Sequence, residues 1–266
     1  MSGLHNLTAK EIDRVNRGLA PWESMSFACG GWLQFYMFGV AKALQVNNMD
    51  KGVKYLGCSA GSLAAVGLVI DGDFDAAVKF CKEYCIPKAY GEINGLFKLS
   101  EYVSMCMELC IMPKLKEIPP DTLHVAVTRL PFLQAERVTD HKNVEELVLT
   151  LLASCAAFPF APIVNRNNGW YIDGGLSDFQ PVLDDETITV SPFYFTGCHI
   201  KPSRYIPLWW TFLPPKSGET VDWIYNLGYE DCVHFLKSKG LPVRSDGSPK
   251  LSDNNGHPYN EPGRVR

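Results

Sequence analysis

Apolar residues fall in short runs punctuated by glycine, and the runs alternate between two spacings. Met25-Ser26-Phe27-Ala28 reads as a short strand that stops at Cys29-Gly30-Gly31. From Trp32 to Val46 the apolar positions Phe35, Phe38, Val40, Ala43 and Leu44 keep helical spacing, and Asn47-Asn48 closes the segment. Val53 to Leu56 predicts a second strand, ending at Gly57-Cys58-Ser59-Ala60-Gly61, and the small and aliphatic run Ser62 to Ile70 predicts a helix packed on a sheet. Further helices are expected over Asp73 to Cys85, Leu99 to Ile111, Val144 to Ser154 and Asp222 to Lys239. Further strands are expected over Leu123 to Leu130, Trp170 to Ile172 and Thr187 to Val190.

Strands alternating with helices predict an α/β domain of three layers, α/β/α, around a mostly parallel central sheet. Residues 1–22 read as a polar lead-in, 23–240 as the folded domain, and 241–266 as a polar tail expected to be disordered. Sheets of this kind place their sites at the carboxyl ends of the strands, so the residues just past those ends carry the functional question.

Three such ends hold chemistry. Gly57-Cys58-Ser59-Ala60-Gly61 has the form G-x-S-x-G, a tight strand-to-helix turn whose glycines relieve crowding around an exposed serine. Alone it is weak, since about one chain in ten of this length would show it by chance. The strand before it and the helix after it strengthen the reading, and no G-K-[ST] continuation makes it a phosphate loop. Gly30 and Gly31 end one strand and open a helix, which aims backbone N–H groups at an anion. One right-handed crossover returns the chain to the same rim, setting Gly30-Gly31 beside Ser59 as an oxyanion hole requires. Asp173-Gly174-Gly175 is the third end, where an isolated Asp-Gly is most often only a turn.

The order Gly-rich turn, G-x-S-x-G, D-G-G resembles the patatin-like phospholipases, as do the contexts SFACGGWLQFYMFGVAKAL, YLGCSAGSLAA, ASCAAFPFAPI and GWYIDGGLSDFQPV. ITVSPF and LGYEDCVHFL are similar to the animal branch that includes adipose triglyceride lipase and adiponutrin, and the likeness runs from about Phe27 to Leu236. The resemblance implies a serine acyl-hydrolase of lipid esters, with or without transacylase activity. Ser59 would be the nucleophile, Asp173 its partner in a two-residue dyad, and the N–H groups of Gly30, Gly31 and Trp32 the oxyanion donors. Gly57 and Gly61 would shape the elbow, and Gly174 and Gly175 the Asp loop. It implies no cofactor and no metal. One departure stands out: the family's G-x-G-x-x-G is Cys29-Gly30-Gly31-Trp32-Leu33-Gln34, with both outer glycines replaced.

Two other readings stay open. An α/β-hydrolase triad would need a histidine after the acid, for which His199 is the best placed and His234 and His257 also qualify. A catalytically impaired lipid-binding protein of the same fold is the other, and Cys29 and Gln34 speak for it.

Composition narrows the partners. Of 266 residues, 46% are hydrophobic and 20% charged, an ordinary globular balance, and the net charge of −4 with no basic run argues against nucleic acid. Nine cysteines without framework spacing suggest free thiols and hence a cytoplasmic setting. Cys81/Cys85 and Cys106/Cys110, each four apart, lack the knuckle spacing of structural zinc, and no calcium loop of EF-hand spacing occurs. The polar start has no apolar leader, and the apolar stretch Phe27 to Leu44 is broken by Gln34 and Lys42. The chain is therefore expected to be soluble or peripheral on a membrane or lipid droplet, with adjacent Trp209 and Trp210 as candidate lipid-facing residues.

Overall fold

The computed structural model describes residues 7–114 and 118–244. A seven-stranded sheet runs in the order β5-β6-β3-β2-β1-β7, with β4 on β3. The strands are β1 (Ser24–Phe27), β2 (Lys54–Cys58), β3 (Leu123–Arg129), β4 (Gln134–Val138), β5 (Val164–Arg166), β6 (Gly169–Asp173) and β7 (Ile188–Val190). Flanking helices complete the three-layer α/β/α arrangement that the alternation predicts. They are α1 (Ala9–Asn16), α2 (Gln34–Val46), α3 (Ala60–Val69), α4 (Phe74–Phe80), α5 (Ile86–Gly91), α6 (Leu99–Cys106), α7 (Val144–Ser154) and α8 (Gly218–Ser238). The pairings β7–β1, β1–β2 and β2–β3 are parallel. Those of β3–β4, β3–β6 and β5–β6 are antiparallel, which the sequence pattern does not reveal.

The register along β3 decides where the site forms. β4 occupies one edge, pairing residues Val125 to Arg129. β2 must therefore lie on the other edge, where Cys58 pairs with Ala126, and β6 takes the same edge one residue further on, with Asp173 opposite Val127. β2 and β6 thus run head to head, and their carboxyl ends meet. The residue that follows Cys58 is Ser59, so the strand pairing alone delivers Ser59 to Asp173.

A hairpin with β5 leads into β6. Asn167 and Asn168 both have positive φ (48° and 60°), the two-residue turn between β5 and β6 that Asn tolerates. The signal lay in Asn167-Asn168-Gly169. β4 escapes a pattern search for a different reason: Gln134-Ala135-Glu136-Arg137 is mostly exposed and polar.

The helices expected over Asp73 to Cys85 and Leu99 to Ile111 form over nearly those residues, but each carries a π turn that the pattern does not show. α4 continues through a π turn, Cys81–Cys85, into α5, and α6 ends in another, Met107–Ile111. The polar lead-in is tied to the domain: Ala20 and Trp22 are core residues, and the Arg14 guanidinium donates to the carbonyls of Ala20, Trp22 and Gly52. Of the polar tail, only 241–244 lie within the described residues.

α2 and α8 cross in backbone contact. A Cβ on Gly39 would lie 1.9 Å from the Tyr225 carbonyl oxygen, and one on Gly228 would lie 2.0 Å from that of Tyr36. Tyr36 of α2 donates from its hydroxyl to Asp231 of α8 across the crossing, and Tyr225 of α8 donates to Asp75 of the neighbouring α4. Because α2 begins at the glycine loop, this crossing sets where the loop sits. Gly228→Ala should force the helices apart and cost about 1–3 kcal/mol, read as a lower melting temperature.

Candidate active site

Ser59 sits between β2 and α3 with φ 52° and ψ −127°, a backbone that non-glycine residues adopt only when held there. Such strain costs about 1–3 kcal/mol. Four hydrogen bonds hold it. The Ser59 N–H donates to Ser154 Oγ (2.8 Å), which in turn donates to the Ala126 carbonyl (2.7 Å). The Ser59 carbonyl accepts from the Ser62 N–H (2.8 Å) and hydroxyl (2.6 Å). Gly57 and Gly61 are glycine for space: a Cβ on Gly57 would meet Gly61 O at 2.5 Å, and one on Gly61 would meet Phe27 O at 2.3 Å.

The Ser59 hydroxyl donates to Asp173 Oδ2 at 2.6 Å. The other carboxylate oxygen, Oδ1, accepts from the Gly175 N–H at 2.8 Å, and Thr128 Oγ1 donates to the Asp173 carbonyl at 2.7 Å. Both side chains are buried, Ser59 at 6% and Asp173 at 9% exposure. Burial pushes the Asp173 pKa up to about 6, against the opposing pull of the Ser59 and Gly175 hydrogen bonds. A carboxylate so placed is a better proton acceptor near neutrality than a free one. Gly174 packs its bare Cα on β3, where a Cβ would meet Ala126 O at 2.2 Å.

Gly30, Gly31 and Trp32 lie where a short 3-10 turn, Gly31–Leu33, opens ahead of α2. The first amides of such a turn have no acceptor inside it. Gly31 has φ 52°, and a Cβ there would strike the Thr211 carbonyl oxygen at 2.1 Å, so only glycine fits. Neither replaced family glycine meets that constraint. Gln34 is helical (φ −48°), and Cys29 is not among the described non-glycine residues with positive φ. Cys29 instead lies by the Asp loop, its Sγ 3.0 Å from where a Gly175 Cβ would stand.

A narrow, mainly apolar cavity of about 30 Å³ opens at Ser59 and Gly31 and is lined also by Gln34, Leu63, Tyr102 and Cys106.

The histidines stand elsewhere. His199 Nδ1 accepts from the Thr189 N–H (3.1 Å), and its ring is exposed beside β7. His234 is exposed on α8, and His257 lies outside the described residues. Asp173 Oδ2 receives the serine hydroxyl directly, with no imidazole between them.

Trp209 and Trp210 do not share a face. Trp209 is 55% exposed and Trp210 only 7%. They lie in the 3-10 turn Leu208–Thr211, where successive side chains diverge by about 120°. The expectation of Trp210 as a lipid-facing residue is corrected, since its side chain is buried. Ser62, Thr128 and Ser154, which hold the two principal residues, were given no role by sequence reasoning, although Ser62 lies within YLGCSAGSLAA and Ser154 within ASCAAFPFAPI. Among the described residues no cluster of His, Cys, Asp or Glu could hold a metal ion.

Residues 25–185 match the family model described as patatin-like phospholipase, and the chain belongs to that family. It is 31% identical over 264 residues to mouse 1-acylglycerol-3-phosphate O-acyltransferase Pnpla3, covering 84% of this chain and 61% of that protein. The human counterpart is 26% identical over 259 residues, covering 86% and 53%. Human omega-hydroxyceramide transacylase is 24% identical over 179 residues, covering 64% of this chain and 34% of that one. The chain thus spans about half to three fifths of the length of its PNPLA3-type relatives. VipD from Legionella pneumophila shares the fold, with a TM-score of 0.53 at 13% identity over 82% of this chain and 67% of that one.

The raised Asp173 pKa carries a stability consequence. The folded state holds this proton up to about pH 6, whereas the unfolded chain releases it near 3.8. Stability therefore falls as pH rises through that window, by about 3 kcal/mol in all. Asp173→Asn should melt higher than wild type at pH 8, and the gap should close by about pH 4; equal melting temperatures at both pH values would contradict the assignment.

Proposed function

We propose that this protein is a lipid acyl-hydrolase that works through a Ser59–Asp173 dyad and an acyl-enzyme. The observation that carries the reading is the 2.6 Å hydrogen bond from the Ser59 hydroxyl to a buried carboxylate whose pKa is raised. Asp173 takes the hydroxyl proton as Ser59 Oγ attacks the ester carbonyl. The oxyanion that develops is met by the amides of Gly30, Gly31 and Trp32 at the N-terminal side of α2, where the helix dipole favours negative charge. The protonated Asp173 then returns its proton to the departing alcohol, and a second nucleophile releases the acyl group. Water as that nucleophile gives hydrolysis and an acceptor alcohol gives acyl transfer; relatives named as acyltransferase and transacylase support keeping both outcomes. No step calls for a cofactor or metal.

The substrate side is read as a lipid surface. Ile93, Phe97, Phe158, Trp209 and Phe212 are all exposed apolar side chains. Phe97, Phe160 and Phe212 stack in series at 5.6 and 6.0 Å, which ties three loops into one apolar face. That face adjoins the site. Leu99 lines the cavity and donates its N–H to the Phe160 carbonyl, and Thr211 abuts Gly31. Aromatic side chains suit the headgroup boundary of a membrane or droplet.

Turnover of soluble acyl esters should fall about 10⁴-fold or more in Ser59→Ala and Asp173→Asn while His199→Ala keeps it. Wild-type activity should rise with pH through about 6 as Asp173 ionises. Loss in folded His199→Ala would favour a triad instead. Sedimentation with phospholipid vesicles should weaken about tenfold in a Phe97→Ser/Phe158→Ser/Trp209→Ala variant that still turns over soluble esters. Unchanged sedimentation would remove this face from the reading.

A further inference from the structure

The cavity wall beyond the nucleophile is mainly apolar, and its polar side-chain groups are few. Leu63 comes from α3, Val103 and Cys106 from α6, and Cys81 and Cys85 from the π turn after α4. Tyr102 also lines it but spends its hydroxyl on the Gly95 carbonyl. Gln34 is the one carboxamide in the lining. It stands one helical turn beyond Gly31, and its Nε2 reaches Cys81 Sγ at 3.7 Å, so the side chain bridges from the start of α2 to the opposite wall.

Size and polarity both make that bridge an obstacle. The cavity, about 30 Å³, is tightly enclosed around Gln34, so a long acyl chain has to pass that side chain closely. A thiol is a weak acceptor, so Gln34 keeps most of its hydrogen-bonding capacity unspent. An alkyl chain threading past would have to cover an amide it cannot satisfy, which is unfavourable. The chain could instead stop short of the amide, and that is the cheaper outcome.

We propose that Gln34 sets the length of acyl chain this pocket accepts, acting as a stop between the nucleophile and the cysteine-lined end. The inference rests on the acyl-transfer reading of Ser59. Gln34→Ala removes the side chain beyond Cβ at a helical position where alanine is the best former, so the fold should be kept. Each methylene newly admitted is worth about fourfold in affinity.

The test is the rate at which Ser59 is labelled by fluorophosphonates carrying short, medium and long linear alkyl chains. The ratio of long-chain to short-chain rate should rise tenfold or more in Gln34→Ala. In Gln34→Leu, which keeps the bulk and discards the amide, the ratio should stay within about threefold of wild type if bulk is the stop; a rise as large as in alanine would assign it to polarity and still uphold Gln34. The proposal is overturned if wild type and Gln34→Ala share one chain-length profile. Absence of labelling at every length would instead sink the nucleophile reading. Equilibrium binding of fatty acids of graded length to Ser59→Ala, with and without Gln34→Ala, then decides the stop separately: tighter binding of the longer acids upholds it, and unchanged binding overturns it.

Discussion

The head-to-head meeting of β2 and β6 on one edge of β3 is the constraint on which the site depends. Cys58 opposite Ala126 and Asp173 opposite Val127 are consecutive rungs on the same strand. Once β3 is paired, Ser59 and Asp173 have almost no freedom to part. The 2.6 Å hydrogen bond is then a consequence of sheet register, and the loops need not be individually rigid to preserve it. The cost falls on the two residues themselves. Ser59 is held at a strained φ, and Asp173 is buried as a carboxylate with one serine and one amide for company.

That cost is met by neighbours whose roles are wholly structural. Ser154 sits at the end of α7 and turns its hydroxyl to both the Ser59 amide and the Ala126 carbonyl, so it ties the elbow to β3. Ser62 closes the first turn of α3 onto the Ser59 carbonyl, and Thr128 fixes the backbone of the acid. All three are buried, where an unpartnered hydroxyl would be expensive. Removing the Ser154 hydroxyl would strand the Ser59 amide in the core, whereas removing that of Ser62 would leave the Ser59 carbonyl with the Ser62 N–H alone.

Sequence legibility followed the physics of each element. The turns at Ser59, Gly30-Gly31 and Asp173 were readable because glycine is needed there for φ or for space, and a lone glycine cluster between apolar runs is visible in a string. Strand direction was not readable. Trp170 to Ile172 has the same pattern whether it runs with β3 or against it, and only the Asn167-Asn168 turn hints at a hairpin. β4 was missed because an exposed hairpin strand need not be apolar. The π turns were invisible because one extra residue per turn barely disturbs a helical pattern over so short a span. The Trp209-Trp210 pair misled because adjacency in sequence was taken for adjacency on a surface, which a 3-10 turn forbids.

The replaced glycines show how far a motif can shift without losing its geometry. Position 31 must be glycine, since its φ is positive and the Thr211 carbonyl fills the space a Cβ would need. Position 34 is ordinary helix, so a side chain there costs the backbone nothing. Its side chain lines the cavity instead. The loop amides stay where the α2–α8 crossing puts them, because Gly39 and Gly228 lock that helix pair regardless of what residue 34 carries. The Ser59–Asp173 geometry and the pocket shape are therefore separable in this fold: the first is fixed by sheet register and the loop beside it by a glycine-tight helix crossing, while the second is open to change at a single helical side chain.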